Sequence, residues 1–312
     1  MHIVLLGNES DPQIAHIAAA IKSAGHTPYI TNTQYFGIHW RICYDPDYHD
    51  GYLTFSDHYG VPKNRLALSS IDAAYWHQYL PPINTKNQVP QHSTWLEQEF
   101  ASALMPWFTY ESIQWINNIR AVRAHQSKPV QLKEACELGA KIPFTYIGNS
   151  TEMAYQFCNN IPQVIYKPVR GGKTAKLLTQ NDNQHTQVHG LLHEHPITLQ
   201  AYISGTNIRS YVLGNDVINV QIDTDLMDFR DDRRATPVLT LVPRSIKELA
   251  IKICRSFGMA WCAIDWRRES TGNYYFLEAN PCPHYLMVEH TTGVDITGRL
   301  LKLMGITHSK VR

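Results

Sequence analysis

The chain has 312 residues, of which 44% are hydrophobic and 18% are charged. This length and composition indicate a globular protein with more than one hydrophobic core, and they exclude a disulfide-stapled miniprotein and a highly charged disordered chain. With 28 lysines and arginines against 27 acidic residues, the net charge is +1. A near-neutral chain has no overall field that would hold nucleic acid or an anionic membrane, so we expect neither as a partner.

The cysteine pattern and the N-terminus indicate a cytoplasmic protein. The 6 cysteines include no Cys-x-x-Cys pair, which favours free thiols in a reducing compartment over a disulfide or zinc framework. The apolar run after Met1 is too short for a signal peptide. No segment approaches the length of a membrane span.

The first hundred residues have the pattern of a small α/β domain. The apolar run His2 to Leu6 predicts a strand, and apolar residues at helical spacing before Gly25 predict a helix. Residues 28–33 and 70–79 predict further strands, and residues 93–108 predict a helix. No Gly-x-Gly-x-x-Gly follows the first strand, which disfavours a dinucleotide-dependent oxidoreductase.

A second α/β pattern begins near Ser127. The predicted elements are a helix ending at Gly139, a strand over 142–147, a helix over 151–158, strands over 163–169 and 175–179, an antiparallel meander over 196–222, a helix over 245–257, a hairpin over 260–280 and a C-terminal helix from about 295.

The last hairpin carries the most specific chemistry. If Thr271 and Gly272 form a two-residue turn, antiparallel pairing places Asp265 directly opposite Glu278. Alternation puts Asn280 on the same face as Glu278. Opposed carboxylates repel, so they require a cation, and loss of one carboxylate should relieve the repulsion. Three oxygen donors suit Mg²⁺, which commonly completes its shell with nucleotide phosphates. The alternative is a surface hairpin whose acids face solvent.

A lysine and two glycines suggest a phosphate site. Alternation places Lys167 on the face of Ile165 and Val169, where a lysine is costly unless an anion neutralises it. Gly171 and Gly172 follow, and backbone N–H groups at such a tip can bind a phosphate. The alternatives are a snorkelling lysine and a simple turn.

Other polar residues are less specific. Arg209 has the forked guanidinium that matches phosphate oxygens, although a solvated ion pair explains it as well. The spacing of His185, His189 and His193 could form a zinc face, but a polar helix face is the preferred interpretation. We interpret Cys282 and the nearby His284 as pocket lining rather than as a nucleophile and its base.

Taken in order, these pieces resemble the ATP-grasp superfamily, and within it the graspetide (microviridin-type) and ribosomal-protein glutamate ligases. The resemblance runs from about residue 115 to residue 299. Its carriers are Trp115-Ile116-Asn117, Lys128 with Gln131-Leu132, Gly139 with Ile142-Pro143-Phe144-Thr145, Tyr166-Lys167-Pro168 with Gly171-Gly172, Leu199-Gln200-Ala201-Tyr202-Ile203 with Gly205 and Arg209, Asp265-Trp266-Arg267, and Phe276-Leu277-Glu278-Ala279-Asn280-Pro281.

The resemblance implies an α/β (α+β) ATP-grasp fold. Residues 1–110 would form a pre-ATP-grasp α/β domain, residues 111–195 the central ATP-grasp subdomain, and residues 196–312 the C-terminal subdomain with the metal site. Ala201 stands where relatives commonly have Glu, and Cys282-Pro283-His284-Tyr285 replaces a Gly-Gln-Trp-like run of graspetide ligases. The implied roles are nucleotide binding by Lys128, Lys167, Gly171, Gly172, Gln200, Ala201, Tyr202 and Ile203, catalysis by Arg209 and Arg267, and Mg²⁺ binding by Asp265, Glu278 and Asn280.

The implied activity is that of an ATP-dependent carboxylate-amine or carboxylate-hydroxyl ligase acting through an acyl phosphate. Its partners would be ATP, Mg²⁺, a small-molecule or peptide carboxylate, and an amine or hydroxyl acceptor. The alternative is a nucleotide-binding pseudoenzyme or recognition module with the same fold. A homodimer is compatible with the sequence.

Overall fold

The computed structural model describes residues 1–56, 61–83, 90–170, 174–178, 184–224, 232 and 234–307. The chain divides into two compact units. Unit 1 comprises Met1–Ile119, Cys282–Glu289 and Val294–Arg312, and unit 2 comprises Arg120–Pro281 and His290–Gly293. The three-part division predicted from the sequence, with boundaries after residues 110 and 195, stays a prediction.

Unit 1 is built on a parallel four-stranded sheet. Strand β1 (His2–Leu6) pairs with β2 (Thr27–Thr31) on one side and with β6 (Ala73–Trp76) on the other, and β7 (Gln114–Ile116) lies beyond β6. All four residues of β6 are buried. A strand covered on both faces has a continuous apolar sequence, which is the pattern seen in β1 as well.

Helix α1 (Pro12–Ser23) connects β1 to β2. It begins after Asp11, whose carboxylate accepts hydrogen bonds from the backbone N–H groups of Gln13 and Ile14. The apolar residues at helical spacing are buried against the sheet. The strand and helix predicted at the start of the chain are therefore confirmed.

Unit 1 contains a second sheet that the sequence patterns did not predict. Strands β3 (Trp40–Asp45), β4 (Asp50–Ser56) and β5 (Pro62–Ala67) pair antiparallel in that order. Besides α1, unit 1 contains helices α2 (Pro90–Phe108) and α9 (Thr297–Leu303), while α3 (Ile119–His125) and α8 (Leu286–Thr292) have residues in both units.

Unit 2 contains two sheets, of which the first has four strands in the order β10-β9-β11-β8. These strands are β8 (Thr145–Gly148), β9 (Val164–Pro168), β10 (Lys176–Leu177) and β11 (Ile197–Ala201). One face packs on helices α5 (Thr151–Asn160) and α6 (Gln184–Glu194) through a core of Ala154, Cys158, Val164, Leu178, Val188, Ile197 and Leu199.

The second sheet is fully antiparallel, in the order β14-β13-β12-β15-β16. Its core side packs on helices α4 (Lys128–Glu137) and α7 (Arg244–Ser256) through residues that include Ile208, Val212 and Trp266. The strands are β12 (Thr206–Leu213), β13 (Asp216–Asp223), β14 (Thr236–Leu239), β15 (Trp261–Arg268) and β16 (Tyr274–Asn280).

The prediction of one antiparallel meander over residues 196–222 is wrong. Strand β11 pairs with β8 and β9 of the first sheet, whereas β12 pairs with β13 and β15 of the second. The chain changes sheets at Gly205, which has a φ of 152°. A Cβ at this position would overlap the carbonyl oxygen of Arg268, so the crossing requires glycine. None of the described helices combines the length and hydropathy of a membrane-spanning segment.

Candidate active site

The hairpin of β15 and β16 places Asp265 opposite Glu278, as the sequence predicts, but by a different route. The predicted two-residue turn is wrong, because Arg268 pairs with Tyr274 and the loop between the strands is longer. Gly272 in this loop has a φ of 87°, which is typical of three-residue hairpin loops. A register shift next to Asp265 compensates for the longer loop.

This register shift is a β-bulge at Leu277, which has no partner across the strand pair. Phe276 pairs with Trp266 and both side chains are buried in the core of unit 2. Strict alternation would direct Glu278 to the same core, but the extra residue turns Glu278 to the opposite face, beside Asp265. The bulge therefore creates the two-carboxylate face.

Each of the two carboxylates forms an ion pair with a basic side chain of the protein. The Arg209 guanidinium donates from Nε to Asp265 Oδ1 at 2.6 Å and from Nη2 to Asp265 Oδ2 at 2.7 Å. Both side chains are 12% exposed. Burial opposes the positive charge of Arg209, but the Asp265 carboxylate outweighs this effect and raises the pKa of the guanidinium. The bidentate pair forms because β12 and β15 align Arg209 with Asp265.

Lys128 makes the second ion pair. It lies in the first turn of α4, and its Nζ is 2.6 Å from Glu278 Oε2. The two side chains are 10% and 24% exposed. The repulsion that the sequence predicts between the opposed acids is therefore offset by Arg209 and Lys128, and the structure joins all four residues in one charge cluster.

The same face carries the three residues that the sequence assigns to a magnesium ion. Asp265 and Glu278 are cross-strand neighbours, and Asn280 lies two residues beyond Glu278, paired with Ala263. Two carboxylates and one amide offer the oxygen donors that Mg²⁺ prefers. These three residues would hold the ion.

Gln131, for which no role was predicted from the sequence, fixes strand β16 at Ala279, between Glu278 and Asn280. Its amide accepts from the Ala279 N–H at 3.0 Å and donates to the Ala279 carbonyl at 2.9 Å. His125 Nδ1 lies 2.8 Å from the same carbonyl. Burial, together with the Lys128 charge, lowers the pKa of His125 to about 4. The neutral imidazole therefore serves as a hydrogen-bond donor.

Lys167 lies on the first sheet of unit 2, on the face away from the core of α5 and α6. Its Nζ donates to Gln200 Oε1 at 3.0 Å, and Gln200 Nε2 donates to Thr145 Oγ1 at 2.9 Å. Val164 and Leu199 occupy the opposite face, so the predicted alternation is confirmed. Lys167, Gln200 and Thr145 are therefore connected by hydrogen bonds on the face of the sheet opposite the core.

Arg267 holds the segment that links the two sheets. Its Nε donates to the Ile203 carbonyl at 2.9 Å, its Nη1 donates to Asn207 Oδ1 at 2.6 Å, and its Nη2 donates to the Tyr202 hydroxyl at 3.2 Å. The Ala201 N–H donates to the Phe144 carbonyl at 2.8 Å. The segment predicted to form the adenine hinge is thus anchored at both ends.

Gly171 and Gly172 lie outside the described residues. Among the described residues, His185, His189 and His193 do not form a group of potential metal ligands, which agrees with the preferred interpretation of a polar helix face. His185 instead stacks on Tyr155, with ring centroids 4.1 Å apart. Burial raises the pKa of the Cys282 thiol to about 12, which agrees with the interpretation that Cys282 is not a nucleophile.

The profile of the RimK-like ATP-grasp domain matches residues 125–304. The chain belongs to the RimK-like ATP-grasp family. Beta-citrylglutamate synthase B of Danio rerio is 25% identical over 143 residues, which cover 43% of this chain and 35% of that protein. The ribosomal protein bS6–L-glutamate ligase of Salmonella paratyphi B is 32% identical over 113 residues, which cover 34% and 37%. The chain thus spans about a third of these relatives.

Solved structures confirm the predicted ATP-grasp fold. The ligase PsnB, complexed with a minimal precursor, has a TM-score of 0.80 and 22% identity, with 97% of both chains covered. The macrocyclase MdnC of Microcystis aeruginosa MRC, bound with precursor peptide MdnA, has a TM-score of 0.84 and 19% identity, with 97% of this chain and 99% of that chain covered. A further PsnB structure contains Mg and ADP.

Proposed function

We propose that this ATP-grasp protein is an ATP-dependent ligase that joins a carboxylate to an amine or hydroxyl through an acyl phosphate. The observation that carries this proposal is the charge cluster, in which Asp265 and Glu278 share one sheet face and are bonded to Arg209 and Lys128. Two carboxylates suit a divalent cation, and a lysine and an arginine beside them suit phosphate oxygens. Membership of the RimK-like ATP-grasp family supports the same reading.

The first step would be phosphoryl transfer. A carboxylate oxygen of the substrate attacks the γ-phosphorus of ATP, the bond to the β–γ bridging oxygen breaks, and ADP leaves. Lys128 and Lys167 would bind the nucleotide phosphates, and Arg209 would balance charge on the transferring group. Mg²⁺ at Asp265, Glu278 and Asn280 would supply further positive charge against the phosphates.

The second step would form the amide or ester. The acceptor nitrogen or oxygen attacks the acyl carbon, the bond from that carbon to the phosphate oxygen breaks, phosphate leaves, and the acceptor proton passes to water. We propose a peptide as the first carboxylate to test, because PsnB and MdnC are each complexed with a precursor. A cytoplasmic location and a homodimer remain predictions.

The test combines product analysis with trapping. With ATP, Mg²⁺, candidate peptide carboxylates and hydroxylamine, the enzyme should release ADP and phosphate and form a hydroxamate. Arg209→Lys keeps a cation for Asp265 but loses the fork, so turnover should fall about 100-fold. The control Arg244→Lys alters an exposed pair with Glu248 on α7 and should not change turnover.

Two outcomes would contradict the proposal. Release of AMP and pyrophosphate would replace the acyl phosphate by an adenylate. Nucleotide binding without any acceptor-dependent ADP release would favour the pseudoenzyme alternative.

A further inference from the structure

A second cluster of chemically active side chains lies in unit 1, outside the proposed ligase site. Among the described residues, Asp11, His77 and His284 are the group whose potential metal-ligand atoms all lie within 4.8 Å of one another. Asp11 precedes α1, His77 follows β6, and His284 belongs to the C-terminal part of unit 1. Three separate segments thus bring together one carboxylate and two imidazoles.

The topology of the sheet gives an independent reason to expect a ligand here. The chain passes from β1 through α1 to β2 on one side of β1, whereas β6 lies on the other side. The connections therefore change direction between β1 and β6. In parallel α/β sheets, ligands bind in the crevice at the carboxyl ends of the strands at such a switch point. Asp11 follows the carboxyl end of β1, and His77 directly follows β6.

The distances suit a single ion. Asp11 Oδ2 and His77 Nε2 are 3.1 Å apart, and two ligands of a tetrahedral zinc ion are about 3.3 Å apart when the bonds are near 2.0 Å. The rings of His77 and His284 meet edge to face, with centroids 5.1 Å apart. Without an ion the Asp11–His77 contact is a hydrogen bond. An ion bound at His77 Nε2 requires the other tautomer of the neutral imidazole, so the ring proton would move from Nε2 to Nδ1.

Gln13 holds the three segments together. It is buried, and its Oε1 accepts from the Tyr285 N–H at 2.7 Å while its Nε2 donates to the Pro283 carbonyl at 3.2 Å. These two contacts flank His284 along the chain. Gln13 Nε2 also lies 3.3 Å from His77 Nδ1, and the Gln13 N–H donates to Asp11 Oδ1 at 2.8 Å. The cluster is therefore fixed by neighbouring groups rather than by the three side chains alone.

We propose that Asp11, His77 and His284 bind one divalent transition-metal ion of the zinc class. Two imidazoles and a carboxylate match the ligands of open zinc sites, which keep a fourth position for water or a substrate atom. Mg²⁺ prefers oxygen donors and keeps several waters, so the oxygen donors of β15 and β16 select a different ion. The proposal does not depend on the ligase activity.

The test measures zinc binding to the full chain after removal of metals by a chelator. Millimolar Mg²⁺ is kept in the buffer so that the oxygen site does not bind zinc. We expect one equivalent of Zn²⁺ to bind with a dissociation constant below about 1 μM. Co²⁺ bound in its place should give the intense visible absorption that is typical of a four-coordinate site.

Two variants test the ligands without endangering the fold. His284→Ala alters an exposed side chain, and Asp11→Asn keeps an oxygen that can cap α1. Each should weaken zinc binding by about 100-fold, because even loss of a residue that only supports a ligand costs 10-fold to 100-fold. The control His189→Ala changes an exposed histidine on α6 and should bind zinc as the parent does. Absence of stoichiometric binding, or equal affinity in His284→Ala, would overturn the proposal.

Discussion

Asp265 is held by a bidentate ion pair with Arg209. Both side chains are largely buried, and two hydrogen bonds of 2.6 and 2.7 Å join them. Sequence reasoning identified both residues but paired Asp265 only with Glu278, because the register between β12 and β15 joins segments more than fifty residues apart and has no local signal. The consequence for stability is the reverse of what carboxylate repulsion alone would give.

Asp265→Asn should destabilise the protein by about 3 kcal/mol, because it leaves the Arg209 charge buried without its carboxylate. Denaturant unfolding measures this change. The double variant Asp265→Asn with Arg209→Gln should recover part of the loss, because no charge is then left unpaired. A single Asp265→Asn variant that is more stable than the parent would instead show that repulsion between carboxylates dominates.

Lys167→Met should weaken nucleotide binding with little loss of stability, because methionine fills a similar volume on the face of β9 but cannot contact phosphate. Calorimetric titration with a non-hydrolysable ATP analogue measures the affinity. The matched control is Lys176→Met, an exposed lysine on neighbouring β10. Equal affinity in Lys167→Met and Lys176→Met would make the Lys167–Gln200 contact purely structural.

Elements with a strong local pattern agree with their prediction. Helix α1 has apolar residues at helical spacing and an Asp cap, and both signals lie within a few residues of each other. Strand β5 had no such signal, because it has four consecutive exposed residues and therefore no alternation. Strand β3 does alternate between more and less buried residues, but this pattern was not used to predict a strand. The sheet membership of β11 was also beyond local patterns, since it depends on pairing with β8 and β9. At the hairpin of β15 and β16, the predicted loop was too short and the bulge at Leu277 was not predicted. These two errors offset each other, so the predicted pairing of Asp265 with Glu278 is correct.

Gly205 and Gly190 form a matched pair of glycines for testing the crossing between the two sheets. Gly205→Ala should destabilise the protein by about 2 kcal/mol or more, because the added Cβ overlaps the Arg268 carbonyl and φ lies in a glycine-only region. Gly190→Ala lies in α6, where a Cβ meets nothing within 4 Å, and it should stabilise by about 0.5 to 1 kcal/mol. Thermal or denaturant unfolding of both variants measures the change in stability. Equal changes in the free energy of unfolding would contradict the requirement for glycine at position 205.

On the scale of the molecule, the family profile and the predicted nucleotide residues fall almost wholly in unit 2. The sequence predicted the fold class because motifs of an ATP-grasp protein occur in order along the chain, and it predicted the carboxylate face from the strand pairing of the last hairpin. It did not predict that segments 282–289 and 294–312 belong with the N-terminal part in unit 1. That arrangement depends on contacts such as those of Gln13 with Pro283 and Tyr285.

Hydrogen exchange measured by mass spectrometry should separate the two units. A non-hydrolysable ATP analogue with Mg²⁺ should slow exchange in β9, β11, β15 and β16, because a ligand that binds only the folded state stabilises the elements it contacts. Strands β3 to β5 of unit 1 should exchange as they do without ligand. Protection confined to β3 to β5 would place the nucleotide in unit 1 and contradict the proposed site in unit 2.

The bulge at Leu277 makes the hairpin tolerant to one specific shortening of the chain. Leu277 is half-buried and has no cross-strand partner, so its deletion would leave Phe276 and Glu278 adjacent and on opposite faces of a regular ladder. We expect the deletion variant to fold and to bind the ATP analogue. Deletion of Ile264, which pairs with Ala279, would reverse the faces of β15 and should abolish folding. Homologous sequences that lack one residue before Glu278 could therefore keep the same carboxylate pair.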